Sequence, residues 1–370
     1  MAKPKLLFVI NHMDWFWSHR LPLAKGAQDA GWDVSVCATG AEDDDKLEQN
    51  GFHGINLGGS PFKILSDIYR IIKSEEPDLI HVITLKYAFL AGLVSRFYPR
   101  VKIVHTIAGL GYLFISDGIK PKLLRFFIGP FLKFALKHPR AQIIFQNPDD
   151  QELLLKRGFV KPEQIHLIKG SGVDLEEFAH IPEPQNDLPV IVMPTRLVHN
   201  KGIAVFIDAA KIAAANGVNA KFQIAGGPVD NNPLGISKDE MEEMIKGSPV
   251  EWLGRVSDMP ALYAASNLIV YPSYYGEGVP KVLLESGATG RAIITTDHPG
   301  CREAIEHGKS GLLVPVKDAQ TTAAAIELLI KDVKKRQDMG NASRAFAARE
   351  FSVERVVSLT LDVYKTAMAS

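Results

Sequence analysis

Two runs of alternating strand and helix signals, separated by a proline-rich joint, most constrain how this 370-residue chain can fold. Short apolar segments such as residues 5–10 and 102–105 alternate with helical segments in the first run, and the alternation restarts at residue 190. Such alternation predicts a doubly wound parallel sheet, whose ligands gather beyond the carboxyl ends of the strands. We therefore expect an α/β protein with two Rossmann-like domains facing a cleft. The predicted segments are residues 1–172, residues 173–352 and a last helix from residue 353 to 370.

Composition excludes several classes of protein. Hydrophobic residues make up 46% of the chain and charged residues 23%, which is typical of a soluble globular protein. Cys37 and Cys301 are far apart and show no metal spacing, which favours a reducing, cytoplasmic compartment. No segment has the length of a signal peptide or a transmembrane helix. No G-x-G-x-x-G motif opens either half, which argues against a nicotinamide-dependent dehydrogenase.

Residues 271–285, Y-P-S-Y-Y-G-E-G-V-P-K-V-L-L-E, carry the most specific motif. An apolar strand ends there, two glycines loosen the backbone, and Pro280 is expected at the first helical position. Gly278, Val279 and Pro280 would then present a helix N-terminus, which is an anion site. Glu277 and Glu285 flank it, with Glu285 about 7 to 8 Å along the helix axis from Pro280. That is the separation of a diphosphate from a ribose diol; the alternative is a solvated loop with two surface glutamates.

In this context the pattern P-S-x-x-x-E-G-x-P-x-x-x-x-E resembles the family 4 glycosyltransferases, which have the GT-B fold. The resemblance extends over nearly the whole chain. It implies retaining transfer of a sugar from a nucleotide donor bound in the second domain. It also implies that the last helix crosses back onto the first domain, which binds the acceptor.

Further donor-binding residues are predicted in the second domain. Arg196 and Lys201, in R-L-V-H-N-K-G after a strand, can neutralise a diphosphate, and the resemblance implies that they bind the donor pyrophosphate. The glycine loops containing Gly227 and Arg255 suit close approach of a ligand, or are simple turns. By resemblance, Arg255 and Val256 line the nucleobase pocket. Glu303 is interpreted either as a residue beside that pocket or as a helix cap.

Sequence motifs in the first domain indicate what kind of acceptor the protein uses. Many family members have a Gly-Gly loop after the first strand, whereas this chain has N-H-M-D-W-F-W-S-H-R and no glycine. Ser18-His19-Arg20 and residues 105–112 resemble a bacterial branch that acts on undecaprenyl-diphosphate-linked sugars, including transfer of N-acetylgalactosamine. We expect His19 and His105 to face the cleft as catalytic residues; the alternative is an ordinary polar role in the core or on the surface.

Residues 119–140 predict a membrane-binding segment. Lys120, Lys122 and Arg125 are interleaved with leucines and phenylalanines, and no acidic residue lies between Asp117 and Asp149. The segment is expected to form two short helices divided at Gly129-Pro130 and lying in an anionic interface. An exposed stretch of Trp15, Phe16 and Trp17, followed by Arg20, would extend this surface towards the acceptor. The alternative is a helix hairpin inside the first domain.

The sequence thus predicts a retaining enzyme that moves a hexose or N-acetylhexosamine from a UDP-sugar to a polyprenyl-diphosphate-linked sugar in bacterial glycan assembly. Its expected catalytic residues are His19, His105, Arg196, Lys201 and Glu277. No metal and no other cofactor is expected, since Asp43, Asp44 and Asp45 read as charge at a helix N-terminus. The expected partners are the donor, the acceptor and an anionic membrane at its cytoplasmic face, and not nucleic acid. A sugar-nucleotide epimerase and a non-catalytic membrane-surface binding protein are the two rival interpretations.

Overall fold

The computed structural model describes residues 2–41, 44–110, 114, 118–229 and 232–370, and for residues 119–121 the backbone alone. The chain divides into two compact units. Unit 1 consists of Met1–Gly172, Gly276–Gly278 and Val353–Ser370, and unit 2 of Val173–Tyr275 and Val279–Ser352.

Unit 1 is built on a parallel sheet in which the described residues form seven strands, in the order β3-β2-β1-β4-β5-β6-β7. The strands are β1 (Lys5–His12), β2 (Asp33–Thr39), β3 (His53–Asn56), β4 (Leu79–Ile83), β5 (Lys102–Ile107), β6 (Ala141–Phe145) and β7 (Ile165–Leu167). Strands β4 and β6 are buried along their whole length, because helices cover both faces of the sheet.

The helices of unit 1 pack on both faces of this sheet. They are α1 (Met13–His19), α2 (Leu21–Asp29), α3 (Asp45–Gln49), α4 (Pro61–Glu75), α5 (Leu85–Val94), α6 (Ile119–Leu136) and α7 (Pro148–Lys156). The alternation along β1 divides the core, since Leu6 and Phe8 pack on the side of α2 while Leu7 and Val9 pack on the side of α4 and α5. The doubly wound arrangement predicted for this half is confirmed.

Unit 2 contains a second parallel sheet, with six strands among the described residues, in the order β10-β9-β8-β11-β12-β13. The strands are β8 (Val190–Pro194), β9 (Lys221–Ala225), β10 (Val250–Trp252), β11 (Leu268–Tyr271), β12 (Ala292–Thr296) and β13 (Gly311–Val314). The helices are α8 (Ile203–Ala215), α9 (Lys238–Ile245), α10 (Met259–Ala265), α11 (Lys281–Thr289), α12 (Ala319–Lys331) and α13 (Val333–Phe351).

The last helix, α14 (Val353–Ala369), packs on the sheet of unit 1. Its Tyr364 is fully buried, and the hydroxyl lies 2.6 Å from Nδ1 of His81 on β4. The other ring nitrogen of His81 lies 2.7 Å from the hydroxyl of Thr106 on β5. Burial is the main cause that holds the pKa of His81 well below its usual range. A neutral imidazole therefore joins α14 to two strands.

Several elements differ from the sequence prediction. Helix α6 is continuous from Ile119 to Leu136 with Pro130 inside it, so the predicted division into two short helices is wrong. Helices α1, α12 and α13 and strands β7 and β13 were not predicted. Pro280 is the residue before the first turn of α11 and not its first helical residue. Asp43 and Gly111–Tyr112, which the sequence interpretation used, lie outside the described residues.

Candidate functional site

The strand order of unit 2 reverses between β8 and β11. These two strands pair in parallel, so their carboxyl ends open at the same edge of the sheet. Strand β9 follows on one side of the pair and β12 on the other. In open α/β sheets ligands bind at such a switch point, because the following loops diverge and leave a crevice. Most of the predicted donor-binding residues lie in or near the loops that follow these strands.

The loops after β8 and β11 are joined by hydrogen bonds and by close backbone packing. The amide of Tyr274 donates to the carbonyl of Asn200 at 3.0 Å, and the hydroxyl of Tyr274 donates to the carbonyl of His199 at 3.2 Å. Gly202 has φ +85°, and a Cβ there would lie 2.1 Å from the carbonyl oxygen of Pro272. Only glycine fits this approach, so the two loops form one support for the side chains they carry.

Lys201 is a buried cation in this support, with 4% of its surface exposed. Its Nζ lies 4.9 Å from the ring centroid of Tyr275 and 5.5 Å from that of Tyr271. Aromatic faces stabilise an ammonium group, and a charge away from water acts strongly on a nearby anion. Arg196, two residues after the end of β8, is exposed. The structure thus puts both predicted cations in the loop that follows one strand.

Glu285 is the buried carboxylate of helix α11. Its Oε2 accepts a hydrogen bond from the hydroxyl of Tyr263 at 2.9 Å, and its Oε1 lies 3.4 Å from Nζ of Lys281. Burial raises the pKa of Glu285, an effect that Lys281 and Tyr263 partly oppose. The carboxylate is consequently held in one orientation and remains able to accept hydrogen bonds from a diol.

The start of α11 lies where the sequence predicts an anion site. Pro280 has an extended backbone and precedes the helix, and its carbonyl accepts from the amide of Leu283 at 3.0 Å. The first amides of a helix have no carbonyl partner within it and carry its positive dipole end. Val279, just before Pro280, is buried in the core of unit 2. Glu285 follows one turn inside the same helix, as the motif spacing predicts.

The glycine loops after β9 and β10 approach each other closely. Gly226 has φ +155°, and a Cβ there would lie 1.5 Å from the carbonyl oxygen of Thr195, so no other residue fits. The amide of Gly226 donates to the carbonyl of Gly254 at 2.7 Å. A Cβ on Gly227 would lie 3.4 Å from Cβ of Arg255, which is exposed. The geometry thus brings Gly227 and Arg255 together, with half-buried Val256 beside them.

Glu277 lies in the tripeptide Gly276–Gly278, which groups with unit 1. A Cβ on Gly109 would lie 2.8 Å from Cα of Glu277, and a Cβ on Gly278 would lie 1.9 Å from Oε1 of Gln146. The two glycines therefore allow the backbone beside Glu277 to approach the ends of β5 and β6. Glu277 is half-buried, and its position is set by backbone packing and not by a helix.

The sequence interpretation missed several residues that hold these groups. Tyr263 and Tyr275 hold Glu285 and Lys201, Gln146 packs at Gly278, and Thr296 donates to the carbonyl of Ser273. Tyr275 lies inside the motif, but Gln146, Tyr263 and Thr296 lie outside it in separate parts of the chain, so no local spacing marks them. Glu303 accepts from the amide of Gly300 at 2.6 Å, which shows that this carboxylate secures its own loop.

In unit 1, His19 lies at the end of α1 and is half-buried. Its ring stacks on that of Trp15 with centroids 4.9 Å apart, and its Nδ1 lies 2.6 Å from the hydroxyl of Ser18. Trp15 is 36% exposed. His19 is therefore held in place at the surface of unit 1. It follows strand β1, which borders the switch point of the unit 1 sheet.

Three expectations for this segment are wrong. Phe16 is fully buried against Phe8 and Phe52, because α1 is amphipathic and turns this residue into the core. Trp17 is half-buried, and its indole donates to Asp44 at 2.6 Å. Arg20 is 5% exposed, and burial lowers its pKa to about 10. Of the four residues predicted for this surface, only Trp15 is exposed.

The expectation that His105 faces an open site is also wrong. The side chain is fully buried, and neither ring nitrogen has a hydrogen-bond partner among the described residues. Burial, with a smaller contribution from His138, lowers the pKa of His105 to about 3. The ring points to the side of β5 that bears Ile103 and Ile107, which pack in the core, so it has no route to a substrate here.

Helix α6 buries one face and exposes large aromatic side chains on the other. Leu132, Ala135 and Leu136 are buried, whereas Phe126, Phe127 and Phe131 are 60–74% exposed. Lys122 is exposed, Arg125 is half-buried with its guanidinium 3.4 Å from the carbonyl of Phe114, and the side chain of Lys120 lies outside the described residues. The alternative interpretation, an internal helix hairpin, does not fit the described part of α6, which is one helix with most of its large apolar side chains exposed.

The described residues contain neither a group of metal ligands nor a helix able to span a membrane. Within residues 2–41, 44–110, 114, 118–229 and 232–370, no three His, Cys, Asp or Glu side chains come together as metal ligands would. Asp44 instead caps α3 through the amide of Lys46, as the sequence predicts. None of the helices in this part of the chain combines the length and the apolar composition that crossing a bilayer requires.

Comparison with known proteins adds two family matches. Residues 5–147 match the model described as Glycosyl transferase 4-like. Residues 175–346 match the model described as Glycosyl transferases group 1. Together the matches cover the main segments of both units.

Two curated bacterial relatives align over most of the chain. One, from Campylobacter jejuni, is N,N'-diacetylbacillosaminyl-diphospho-undecaprenol alpha-1,3-N-acetylgalactosaminyltransferase; it is 29% identical, covering 86% of this chain and 88% of the relative. The other, from Escherichia coli, is UDP-Gal:alpha-D-GlcNAc-diphosphoundecaprenol alpha-1,3-galactosyltransferase; it is 26% identical, covering 82% and 79%. Among solved structures, Anabaena Alr3699/HepE in complex with UDP and glucose has the same fold, with TM-score 0.76, 20% identity, and coverage of 98% of this chain and 100% of that one.

Proposed function

Because this chain belongs to the family 4 glycosyltransferases, which have the GT-B fold, we propose that it moves a hexose or N-acetylhexosamine from a UDP-sugar to a polyprenyl-diphosphate-linked saccharide. The two curated relatives act on sugars linked to undecaprenyl diphosphate, and one of them uses a UDP-sugar. A protein of the same fold binds UDP. These features support bacterial surface-glycan or glycoprotein-glycan assembly as the setting.

The observation that carries the proposal is the arrangement at the switch point of unit 2. A buried ammonium (Lys201) follows one strand, and a helix start (α11) follows the neighbouring strand. A buried carboxylate (Glu285) lies one turn inside that helix, 2.9 Å from the hydroxyl of Tyr263. The first two features suit a diphosphate, and the third suits a ribose diol. Uridine diphosphate has both groups.

We assign the chemistry to the departing diphosphate and its contacts. The bond from the anomeric carbon to the β-phosphate oxygen breaks, and the electron pair leaves with UDP. The acceptor hydroxyl attacks from the same face, so the anomeric configuration is retained, and its proton passes to the leaving phosphate. Arg196, Lys201 and the first amides of α11 stabilise the charge that develops, which is generally the largest contribution available to such a site.

Other residues have binding roles in this proposal. Glu277 accepts hydrogen bonds from the hydroxyls of the transferred sugar, and Glu285 holds the ribose. Gly227, Arg255 and Val256 border the base. His19 remains a candidate contact to the acceptor, held by Ser18 and Trp15. His105 has no such role, because it is buried in the core.

The reaction as proposed needs no metal ion. Two cations and a helix N-terminus already meet the negative charge of the leaving group, which is the task a divalent ion would otherwise have. Turnover should therefore persist in a chelator at millimolar concentration.

Because the proposed acceptor carries a lipid chain, we also propose where in the cell the protein works. The protein would work at the cytoplasmic face of the cytoplasmic membrane, attached to anionic lipid through the exposed side of α6. Exposed aromatic residues beside Lys122 and Lys133 support this, since such helices lie in the interface with cations among the headgroups.

The test is a panel of UDP-sugars incubated with synthetic lipid-diphosphate saccharides, with products identified by mass spectrometry and the anomer by NMR. The proposal expects one donor and acceptor pair to give a glycoside with the donor's own anomeric configuration. An inverted product would contradict the mechanism, and formation of an epimeric UDP-sugar would contradict the function.

A further inference from the structure

We infer that α6 is one half of a two-part membrane-binding surface on unit 1. The other half is the turn after α5 together with the outer side of α4, and both contact anionic lipid at the same time. The inference rests on the proposed function, because it identifies the surface at which the protein meets a lipid-linked acceptor. We call the two halves the α6 face and the α4 face.

The α6 face is apolar and basic. Its side chains with 42–74% exposure are Leu123, Leu124, Phe126, Phe127, Phe131 and Phe134. Lys122 and Lys133 are exposed among them. The sequence has no acidic residue from position 118 to 148, so nothing in this segment repels an anionic headgroup. An apolar surface this rich in aromatic side chains marks a binding site when it lies open to solvent.

The α6 face continues directly into the turn Ser95–Phe97. The guanidinium of Arg96 lies 4.1 Å from the ring centroid of Phe134 and donates to the carbonyl oxygen of the same residue. Phe97, next in the chain, is 75% exposed. A cation and an apolar ring thus extend the surface beyond α6.

The rest of the α4 face, on helix α4 itself, follows on the other side of the turn. The hydroxyl of Tyr98 donates to the carbonyl of Tyr69 at 2.9 Å, and the two rings lie 5.4 Å apart. Tyr69 is 45% exposed, and Phe62, seven residues earlier on the same side of α4, is 87% exposed. Lys73 is exposed one turn further along. Helices α4 and α6 both pack against the buried α5, so the two faces belong to one rigid helical layer.

The chemistry of this surface fits an anionic bilayer. Tyrosine rings have an apolar body and a polar tip, and they concentrate at the depth of the headgroups. Phenylalanine side chains reach the acyl boundary, and basic side chains gain about 1 kcal/mol each from anionic lipid. The surface has all three classes. A single amphipathic helix would leave unit 1 able to rotate about the helix axis; contact through a second helix removes that freedom.

The first experiment compares vesicle binding of the double variant Tyr69→Ser with Phe97→Ser against Leu328→Gln, which changes a comparably exposed apolar residue of unit 2. Vesicles contain phosphatidylglycerol or phosphatidylcholine alone. We expect the double variant to bind anionic vesicles at least about ten-fold more weakly, equivalent to roughly 1.4 kcal/mol, and the control to bind as the wild type does. Equal binding by the double variant overturns the inference, as does binding that is indifferent to anionic lipid and to salt, because a protein partner would then fit better.

A second measurement reports contact even if the double variant folds poorly. Phe97→Cys can be labelled selectively with an environment-sensitive dye, because Cys37 and Cys301 are both buried. The dye at residue 97 should shift to the blue with anionic vesicles, and the same dye on Leu328→Cys should not. No shift at residue 97, with the protein bound to vesicles, overturns the inference.

Transfer to a short-chain, water-soluble acceptor separates this inference from the function beneath it. Wild type and the double variant should use that acceptor equally well, because neither needs a membrane for it. Absence of transfer by the wild type contradicts the proposed function. Normal transfer by both, with unchanged vesicle binding by the double variant, contradicts only the two-part surface.

Discussion

Lys201 and Glu285 are ionisable groups whose burial decides what they can do. Lys201 is held over two tyrosine rings, and Glu285 is held between a tyrosine hydroxyl and a lysine. Both are oriented before any ligand arrives, so binding need not order them. Preorganised charges in a partly dry site act more strongly on a developing charge than mobile surface charges do.

Removal of either cation should slow the reaction. Arg196→Ala or Lys201→Ala should lower kcat/KM by at least about 100-fold, which is the usual loss for one preorganised contact to a developing anion. Lys201→Met tests the charge while keeping the packing on Tyr271 and Tyr275. Lys211→Ala, in the exposed ion pair with Asp208, is the control and should be unchanged. Wild-type turnover in folded Arg196 and Lys201 variants would remove them from the mechanism.

Substitution of the two motif glutamates should affect the binding of the product UDP differently. Glu285→Gln should weaken UDP binding about ten-fold or more, because hydrogen bonds to a charged group are strong. Glu277→Gln should leave UDP affinity unchanged and reduce turnover, since its partner is the transferred sugar. Calorimetry with UDP on both variants measures this, with Tyr263→Phe as a control that keeps the carboxylate. Equal losses in both glutamate variants would contradict the assignment.

The carboxylate of Glu285 should make the affinity for UDP depend on pH. Burial raises the pKa of Glu285, so on acidification it takes up a proton at a higher pH than an ordinary glutamate does. The diol needs the carboxylate form, so the affinity of the wild type for UDP should fall as pH decreases through that raised pKa. The UDP affinity of the Glu285→Gln variant should not show this fall. Titrations with UDP at a series of pH values from neutral to weakly acidic compare the two proteins directly.

His105 should affect stability and not catalysis. Its pKa is about 3 in the fold, against an ordinary value of 6.5, because it is buried as a neutral ring. The unfolded chain therefore binds more protons below pH 6.5, and the fold loses about 1.4 kcal/mol per pH unit from this group as pH falls. Denaturant unfolding at a series of pH values should show a shallower slope for His105→Leu. An unchanged slope would show that the ring is solvated.

At the scale of elements, the sequence predicted most strands and many helices, because parallel strands buried on both faces read as short apolar runs. It failed where tertiary packing decides the outcome. Pro130 lies inside α6, although proline in a helix interior usually breaks or kinks it. Helices α12 and α13 were missed although they are long. The motif glutamates and cations could be predicted from spacing, whereas Tyr263 could not, since it reaches Glu285 from a different helix of unit 2.

Helix α14 offers a test of packing at this scale. Tyr364→Phe should remove the hydrogen bond to His81 and leave the ring packing intact, at a cost of about 1 kcal/mol or somewhat more, because His81 is left with a buried unsatisfied nitrogen. Urea denaturation measures this, and Lys365→Met, which removes an exposed pair with Asp362, is the matched control. Equal stability of the two variants would mean that α14 is held by its apolar contacts alone.

For the whole molecule, two units of similar construction carry different groups. Each has a parallel sheet with a switch point, between β1 and β4 in unit 1 and between β8 and β11 in unit 2. The buried lysine and carboxylate that suit a nucleotide are in unit 2. The exposed aromatic and basic surface that suits a lipid is in unit 1. We attribute the donor to one unit and the lipid-linked acceptor to the other.

The most direct test of this account follows UDP and the lipid-linked acceptor in the same reaction. The amount of UDP released and the mass of the acceptor are measured together for the wild type and for Lys201→Met. We expect one added sugar on the acceptor for each UDP released by the wild type, and loss of both products in the variant. UDP released with free sugar and an unchanged acceptor would contradict it, as would full glycoside formation by the variant.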